Sequence, residues 1–299
     1  MSTNEGMNNG VSMVNNLYND LKENNVIYIG LIIVILLCVL TIYFLYYMIG
    51  KYLFLKVSVT VSETSVPVLC NKVSVFNANF PDLGNGRRKS FSFWIYINDF
   101  SKNYGNYKTV VAVLDNNDLT SDKANYRNAS PHIFLDKTNN KLYCNFYNKK
   151  FNQDIKNFSD VNNNNIDNYM KTGIIIDYIP LQRWVHVAYV INSDSFTTSI
   201  YAYVDADLVK IVKDDNNTKN SYQLNDIDLK ISKYLVVGGD IQNVKNSPGF
   251  SGLISNFTCY NYELNQSDIS NIYQKGPVNG FLAYLGLGMY GVRNPIYKL

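Results

Sequence analysis

The chain has 299 residues, 46% hydrophobic and 17% charged, enough for one large domain or two ordinary ones and too long to depend on disulfides for its core. Its 27 basic and 24 acidic residues leave a net charge of +3 and no basic stripe, which sets nucleic acid aside as a partner. Two histidines (His132, His186) and four cysteines (Cys38, Cys70, Cys144, Cys259), none in a Cys-x-x-Cys pair, are too few and too scattered for zinc, and only four glutamates (Glu5, Glu23, Glu63, Glu263) are available for paired-carboxylate hydrolysis.

In chain order, residues 1–25 are polar and Asn-rich and read as a flexible tail. From Val26 to Ile49 no charge appears, and at about 1.5 Å of rise per residue this stretch outlasts a hydrocarbon core of about 30 Å. It is expected to be a single transmembrane helix. Tyr28 marks one end and Tyr43, Tyr46, Tyr47 and Tyr52 the other, at headgroup level, with Lys51 and Lys56 free to snorkel outward. A cleaved signal peptide would be shorter and follow a basic flank, whereas this run follows Glu5, Asp20, Lys22 and Glu23. The lysine balance, Lys51 and Lys56 against Lys22, biases the C-terminal side only weakly toward the cytoplasm.

Residues 50–65 read as a juxtamembrane linker and 66–277 as an all-β domain, with short runs of Val, Ile, Tyr and Phe between Asn, Asp, Gly and Ser clusters. In Phe91 to Ile97, period-two alternation puts Phe91, Phe93, Ile95 and Ile97 on one face and Ser92, Trp94 and Tyr96 on the other. Ser199 to Val204 alternates in the same way. Further strands are expected at Lys108–Leu114, His132–Leu135, Lys141–Phe146, Gly173–Tyr178, Trp184–Ile191, Leu208–Val212, Tyr234–Val237 and Leu253–Tyr260. So many strands without interleaved helices imply an antiparallel two-sheet sandwich.

The polar insertion from Lys149 to Lys171, with Asn162 to Asn165 in it, reads as an exposed loop and a place for binding function. One helix is expected near the end: Asn265 caps it with Asp268 three residues on, Ile269, Ile272 and Tyr273 share a face, and Gly276-Pro277 stops it. Residues 278–299 form an apolar, Gly-rich tail too broken for a second span.

Four pieces occur in order between Val66 and Pro277: Phe91-Ser92-Phe93-Trp94-Ile95-Tyr96; Trp184-Val185-His186-Val187-Ala188; Ile200 to Val204 with Asp205; and Phe250-Ser251-Gly252-Leu253-Ile254-Ser255 running on to Gly276-Pro277. Together they resemble the laminin-G-like, concanavalin A-like jelly-roll superfamily, its pentraxin-type members included. Ala206 departs from the pattern, where the family has a hairpin glycine. The resemblance implies two antiparallel sheets face to face, with ligand sites on rim loops or the concave face, in a fold that hosts lectins, adhesion modules, structural proteins and glycan hydrolases. The order of span and jelly roll in an Asn/Lys-rich chain is also similar to virion membrane and minor capsid proteins of large DNA viruses, which would make capsid proteins the partners.

No Glu-x-Asp-x-x-Glu triplet occurs, so no catalytic residue is assigned and the chain is not expected to be an enzyme. His186 reads as a packed core histidine, and Trp94 and Trp184 as core before glycan platforms. Calcium would use Asp and Asn oxygens on rim loops, and Asp115, Asn116, Asn117, Asp118 and Asp240 are the residues for it or for another ligand; an ordinary turn accounts for the same run. Sequons stand at Asn128, Asn157, Asn216, Asn256 and Asn265. Because chain ends of this fold lie together, Cys70 and Cys259 are the pair to consider for a disulfide. The expected function is a bilayer-anchored module binding a glycan or a protein. A structural link between a viral inner membrane and a capsid shell is the alternative, and a polysaccharide hydrolase stands behind both.

Overall fold

The computed structural model describes residues 4–49, 57–61, 67–77, 80–81, 87–115, 126–148, 151, 158–194, 197–214, 222–229, 233–239 and 248–278. They fall into two compact units, Met1–Leu55 and Lys56–Leu299.

The first unit is one helix, α1 (Asn4–Met48), of 45 residues. Within it Ile27–Met48, 22 residues with a mean hydropathy of 2.9, is long and apolar enough to cross a membrane. The helix also continues back through most of residues 1–25, which the composition had assigned to a flexible tail. The apolar helix supplies the nucleus for this extension, but asparagine and glycine propagate it poorly.

The second unit is an antiparallel two-sheet sandwich, as the strand pattern predicts. Its first sheet runs in the order β1 (Ser58–Val61), β13 (Ser251–Tyr260), β4 (Lys89–Asp99), β9 (Trp184–Ser193), β10 (Thr198–Val204), β11 (Asp207–Lys213), with β2 (Val68–Leu69) also on β13. The second runs β3 (Ser74–Asn77), β12 (Tyr234–Val237), β5 (Lys108–Leu114), β6 (His132–Leu135), β7 (Leu142–Asn145), β8 (Gly173–Ile176). β1 lies in the stretch read as a linker, and its pairing of Ser58 with Tyr260 and Val61 with Phe257 makes it part of the sandwich. Among the described residues two short α-helices belong to the unit, α2 (Ile166–Tyr169) and α3 (Gln266–Lys275).

The inner faces pack as alternation requires. Phe91, Phe93, Ile95 and Ile97 of β4 are fully buried between the sheets, with Phe93 on Phe257 at 6.0 Å and Phe91 against Phe146 at 6.2 Å between ring centres. Burying each such ring stabilises the fold by roughly 2 to 3 kcal/mol. The opposite face of β4 is covered as well. α3, capped by a reciprocal Asn265–Asp268 box and ended by Gly276 at φ 79°, lays Tyr273 on Trp94 at 5.6 Å and 14° between ring planes. Trp94 and Trp184 are therefore interior and unavailable as sugar platforms. His186 packs on Trp94 and shares a 2.9 Å hydrogen bond with Ser92 Oγ, as a core histidine should.

Two further expectations change. Cys70 and Cys259 are free thiols. Cys70 N–H donates to Gly252 O at 3.0 Å, and Cys259 stands seven positions farther along β13, about 20 Å away at strand rise. A disulfide needs a Cα separation of roughly 4.4 to 6.8 Å, so this pair is not bridged. The insertion is no free loop: Phe158, Val161, Tyr169 and Met170 are buried on the outer face of the second sheet, because its few apolar residues cover Phe134 and Tyr143. Of the sequons, Asn256 Nδ2 donates to Pro277 O at 3.1 Å and the Asn265 side chain caps α3, while Asn157, Asn216 and the tail 279–299 lie outside the described residues.

Gly249 shows how closely the chain passes at one crossing. A Cβ there would overlap the Cys70 carbonyl oxygen, which already accepts from Phe250 N–H at 3.1 Å. Gly249→Ala is expected to lower stability by about 1 to 3 kcal/mol, seen as a lower urea midpoint with an unchanged slope.

Candidate functional site

A groove of about 520 Å³ opens where four segments meet at one end of the second sheet. The β4–β5 loop gives Gly105 and Tyr107, the β6–β7 turn gives Asp136 to Asn139 with Lys141, β7 gives Tyr143, and the insertion gives Asn163, Ile166 and Asp167. The volume falls in the range of about 300 to 1,000 Å³ that holds small molecules.

The turn is held from within. Asp136 Oδ2 accepts from Asn139 N–H at 3.1 Å and from Asn139 Nδ2 at 3.2 Å, while Asp136 N–H donates to Lys141 O at 3.1 Å. This is the local closure that an Asp side chain offers a tight connection. The adjoining loop is tied to it by Gly105, whose N–H donates to Lys137 O at 3.0 Å from a left-handed φ of 84°. Beneath both, buried Lys108 donates from Nζ to Asp136 O at 3.1 Å and Lys137 O at 3.4 Å, and sits 4.0 Å over the Phe100 ring. Burial pulls its ammonium down to about 8, and Asp136 opposes that shift.

The floor is aromatic. Tyr143 stacks on Phe134 at 5.0 Å and 3°, and Tyr107 meets both rings edge-on. Tyr143 O–H donates to Asp136 Oδ1 at 3.3 Å, so both oxygens of that carboxylate are engaged and its direction is fixed. Burial, then Asp136 and Asp167, pushes the Tyr107 phenol up to about 12; burial, then Asp136, raises Tyr143 in the same way. Both phenols stay protonated at neutral pH and keep their O–H donors. Lys137 Nζ lies 4.6 Å over the Tyr107 ring. Two aspartates and two lysines balance the formal charge of the lining.

The residues singled out for ligand binding lie elsewhere. Asp115 is exposed just beyond Leu114, at the opposite end of β5 from Lys108 and about 20 Å from the groove turn. Asn116, Asn117, Asp118 and Asp240 lie outside the described residues. Among the described residues no three His, Cys, Asp or Glu side chains gather closely enough to hold a metal ion. Glu263 faces Arg88 at 3.5 Å on the first sheet's side of the molecule. Of the groove residues, sequence reasoning reached Asn163, Ile166 and Asp167, inside the insertion. Asp136-Lys137-Thr138-Asn139 between two strands was the available signal for the rest.

The end that carries the groove is also defined by topology. The chain enters the second unit through β1, where Ser58 pairs with Tyr260 and Tyr260 with Ser90. The 100–107 loop leaves β4 beyond Asp99, about 30 Å along that strand.

No family model matches the chain and no curated protein matches it in sequence. Among solved structures it is similar to the botulinum neurotoxin serotype D binding domain, at 17% identity and a TM-score of 0.44 over 73% of this chain and 42% of that one. It is also similar to the sialidase of Trypanosoma rangeli (14%, TM-score 0.34, 62% and 22%) and to endo-β-1,4-glucuronan lyase from Trichoderma reesei (12%, TM-score 0.38, 72% and 83%). The chain spans less than half the length of the toxin domain. Similarity of this degree says nothing about what the groove holds, and that question rests on the groove itself.

Proposed function

We propose that this protein is a membrane-anchored binding module that holds an uncharged saccharide in the groove walled by the 136–141 turn and the 163–167 segment, without transforming it. The observation that carries the reading is the Asp136 carboxylate, fixed by Asn139 and Tyr143 on an aromatic floor and flanked by amide, hydroxyl and ammonium groups. A sugar presents alternating hydroxyl donors and acceptors around an apolar ring face. A rigid carboxylate with neighbouring amide, hydroxyl and ammonium groups matches that chemistry, and its preorganisation keeps the ordering cost of binding low. The balanced charge of the lining favours a neutral ligand over an acidic one.

Binding without turnover is part of the proposal. A general acid or base works best with its pKa near the operating pH; the two phenols are displaced away from neutrality, and Lys108, lowered to about 8, is buried with Nζ turned to the Asp136 and Lys137 carbonyls. The anchor is Ile27–Met48, whose length and apolarity suit a bilayer. Within the sandwich, the groove lies at the end remote from Ser58 of β1.

The test is a glycan array probed with the full chain in lipid nanodiscs. Neutral saccharides should bind. Asp136→Ala should weaken that binding by about 10- to 100-fold, the worth of a hydrogen bond to a charged group, and Tyr143→Phe by less, while Glu263→Gln leaves it unchanged. Absence of saccharide binding, or binding that survives Asp136→Ala, would contradict the proposal.

A further inference from the structure

The polar half of α1 has an order that its composition hides. In residues 4–25, seven side chains are apolar or tyrosine, and five of them, Met7, Val11, Val14, Tyr18 and Leu21, follow one another at steps of 4, 3, 4 and 3. On a continuous helix these positions form a single stripe, with the 3.5-residue period of a coiled-coil seam. The next seam position is Asn25, which is exposed. The series then runs on through Tyr28, Ile32, Ile35, Val39, Ile42 and Tyr46; there every face is apolar, so the polar half supplies the signal.

Such a stripe needs a cover. Residues 4–25 include eight asparagines and two glycines, poor helix formers, so intrinsic propensity does not hold this half helical by itself. The stripe residue whose side chain is described, Tyr18, is 66% exposed. Two occupants compete. A lipid surface is disfavoured because Glu5, Asp20 and Glu23 outweigh Lys22, and because a helix unbroken from Asn4 to Met48 cannot both cross a bilayer and lie flat on it. A second α1 is favoured because the stripe is self-complementary and joins the span without a break. Copies inserted with the same topology are parallel, so their stripes meet in register.

We propose that α1 pairs with α1 of a second copy of this chain as a parallel two-stranded coiled coil. Val11 and Tyr18 take the a positions and Val14 and Leu21 the d positions. Asn25 lies at an a position, where a single buried asparagine selects two strands and one register. The flanking e and g positions hold Lys22 as their one charge in this half, so no ion-pair pattern sets the register and Asn25 is left to do so. The parallel sense rests on the membrane reading above; the pairing itself does not.

The test is disulfide scanning of the full chain in phosphatidylcholine vesicles. Single cysteines replace Val14, Tyr18, Leu21 or Asn25 on the stripe, and Asn16, Asn19 or Glu23 off it, all in a Cys38→Ala background. Oxidation should give dimer bands at the stripe positions at least about tenfold stronger than at the others, since a same-residue disulfide forms only where two copies face each other in parallel. Equal cross-linking at all positions, or none at the stripe, overturns the proposal. Carbonate washing of the same vesicles reads the anchor separately. Release of the chain would defeat the membrane reading, while the cross-linking pattern of the released chain would still decide whether a parallel pair forms.

Discussion

Lowering the pH from 7.5 to 5 is expected to cost the sandwich about 4 kcal/mol of stability through two histidines. His132 and His186 are buried, and burial pushes each ring down to about 3 from an ordinary 6.5. Neither Nδ1 has a hydrogen-bond partner among the described residues, so nothing there compensates an imidazolium. His132 lies between the Tyr126 ring at 5.2 Å and the Phe158 ring at 4.4 Å, and His186 lies under Trp94 and Tyr273. Below pH 6.5 the unfolded chain takes up two protons that the folded one refuses until about pH 3. Stability is therefore complete above pH 6.5 and falls through the interval beneath it, by about 1.4 kcal/mol per unit for each histidine. Denaturant titrations from pH 7.5 to 5 measure this directly. Replacing one histidine with glutamine should halve the slope, and a flat profile would mean that the rings find partners or solvent.

Removing one ring should undo the groove from behind. Phe134 stacks on Tyr143, meets Phe158 at 4.9 Å and His132 at 5.0 Å, and reaches Tyr107 and Tyr169. It joins the strand that carries Tyr143 to the insertion that carries Asn163 and Asp167. Phe134→Ala is expected to lower stability by about 3 to 5 kcal/mol, from lost transfer energy, a cavity and broken ring pairs. Hydrogen exchange should rise most in 158–172, because that segment packs on the sheet largely through this cluster. A loss under about 1 kcal/mol, with 158–172 still protected, would show the insertion to be held by something else.

The strands of the sandwich were legible because their alternation is local, and Phe91 to Ile97 identifies its inner face without reference to any other segment. The capping pair Asn265 and Asp268 was legible for the same reason. β1, β2 and β3 were not, since they are two to four residues long and only partly buried, and are defined by partners far along the chain, such as Tyr260 for Ser58. The groove was hidden in a similar way. Asp136 differs from Asp115 only because Lys108, Gly105 and Tyr143 converge on it, and that convergence is long-range; in a chain this rich in asparagine, the denser Asp115 to Asp118 run drew the assignment instead. The stripe on α1 is the opposite case, a local pattern masked by asparagine and glycine until the helix gives the residues a common face.

The most direct test of the account is hydrogen exchange of the full chain in nanodiscs, with and without the neutral saccharide that binds best. The account predicts slowed exchange in 105–107, 136–143 and 163–167 and no change in α3 or β4. Protection confined to α3 and the strands beneath it, with the 136–141 turn unaffected, would contradict it.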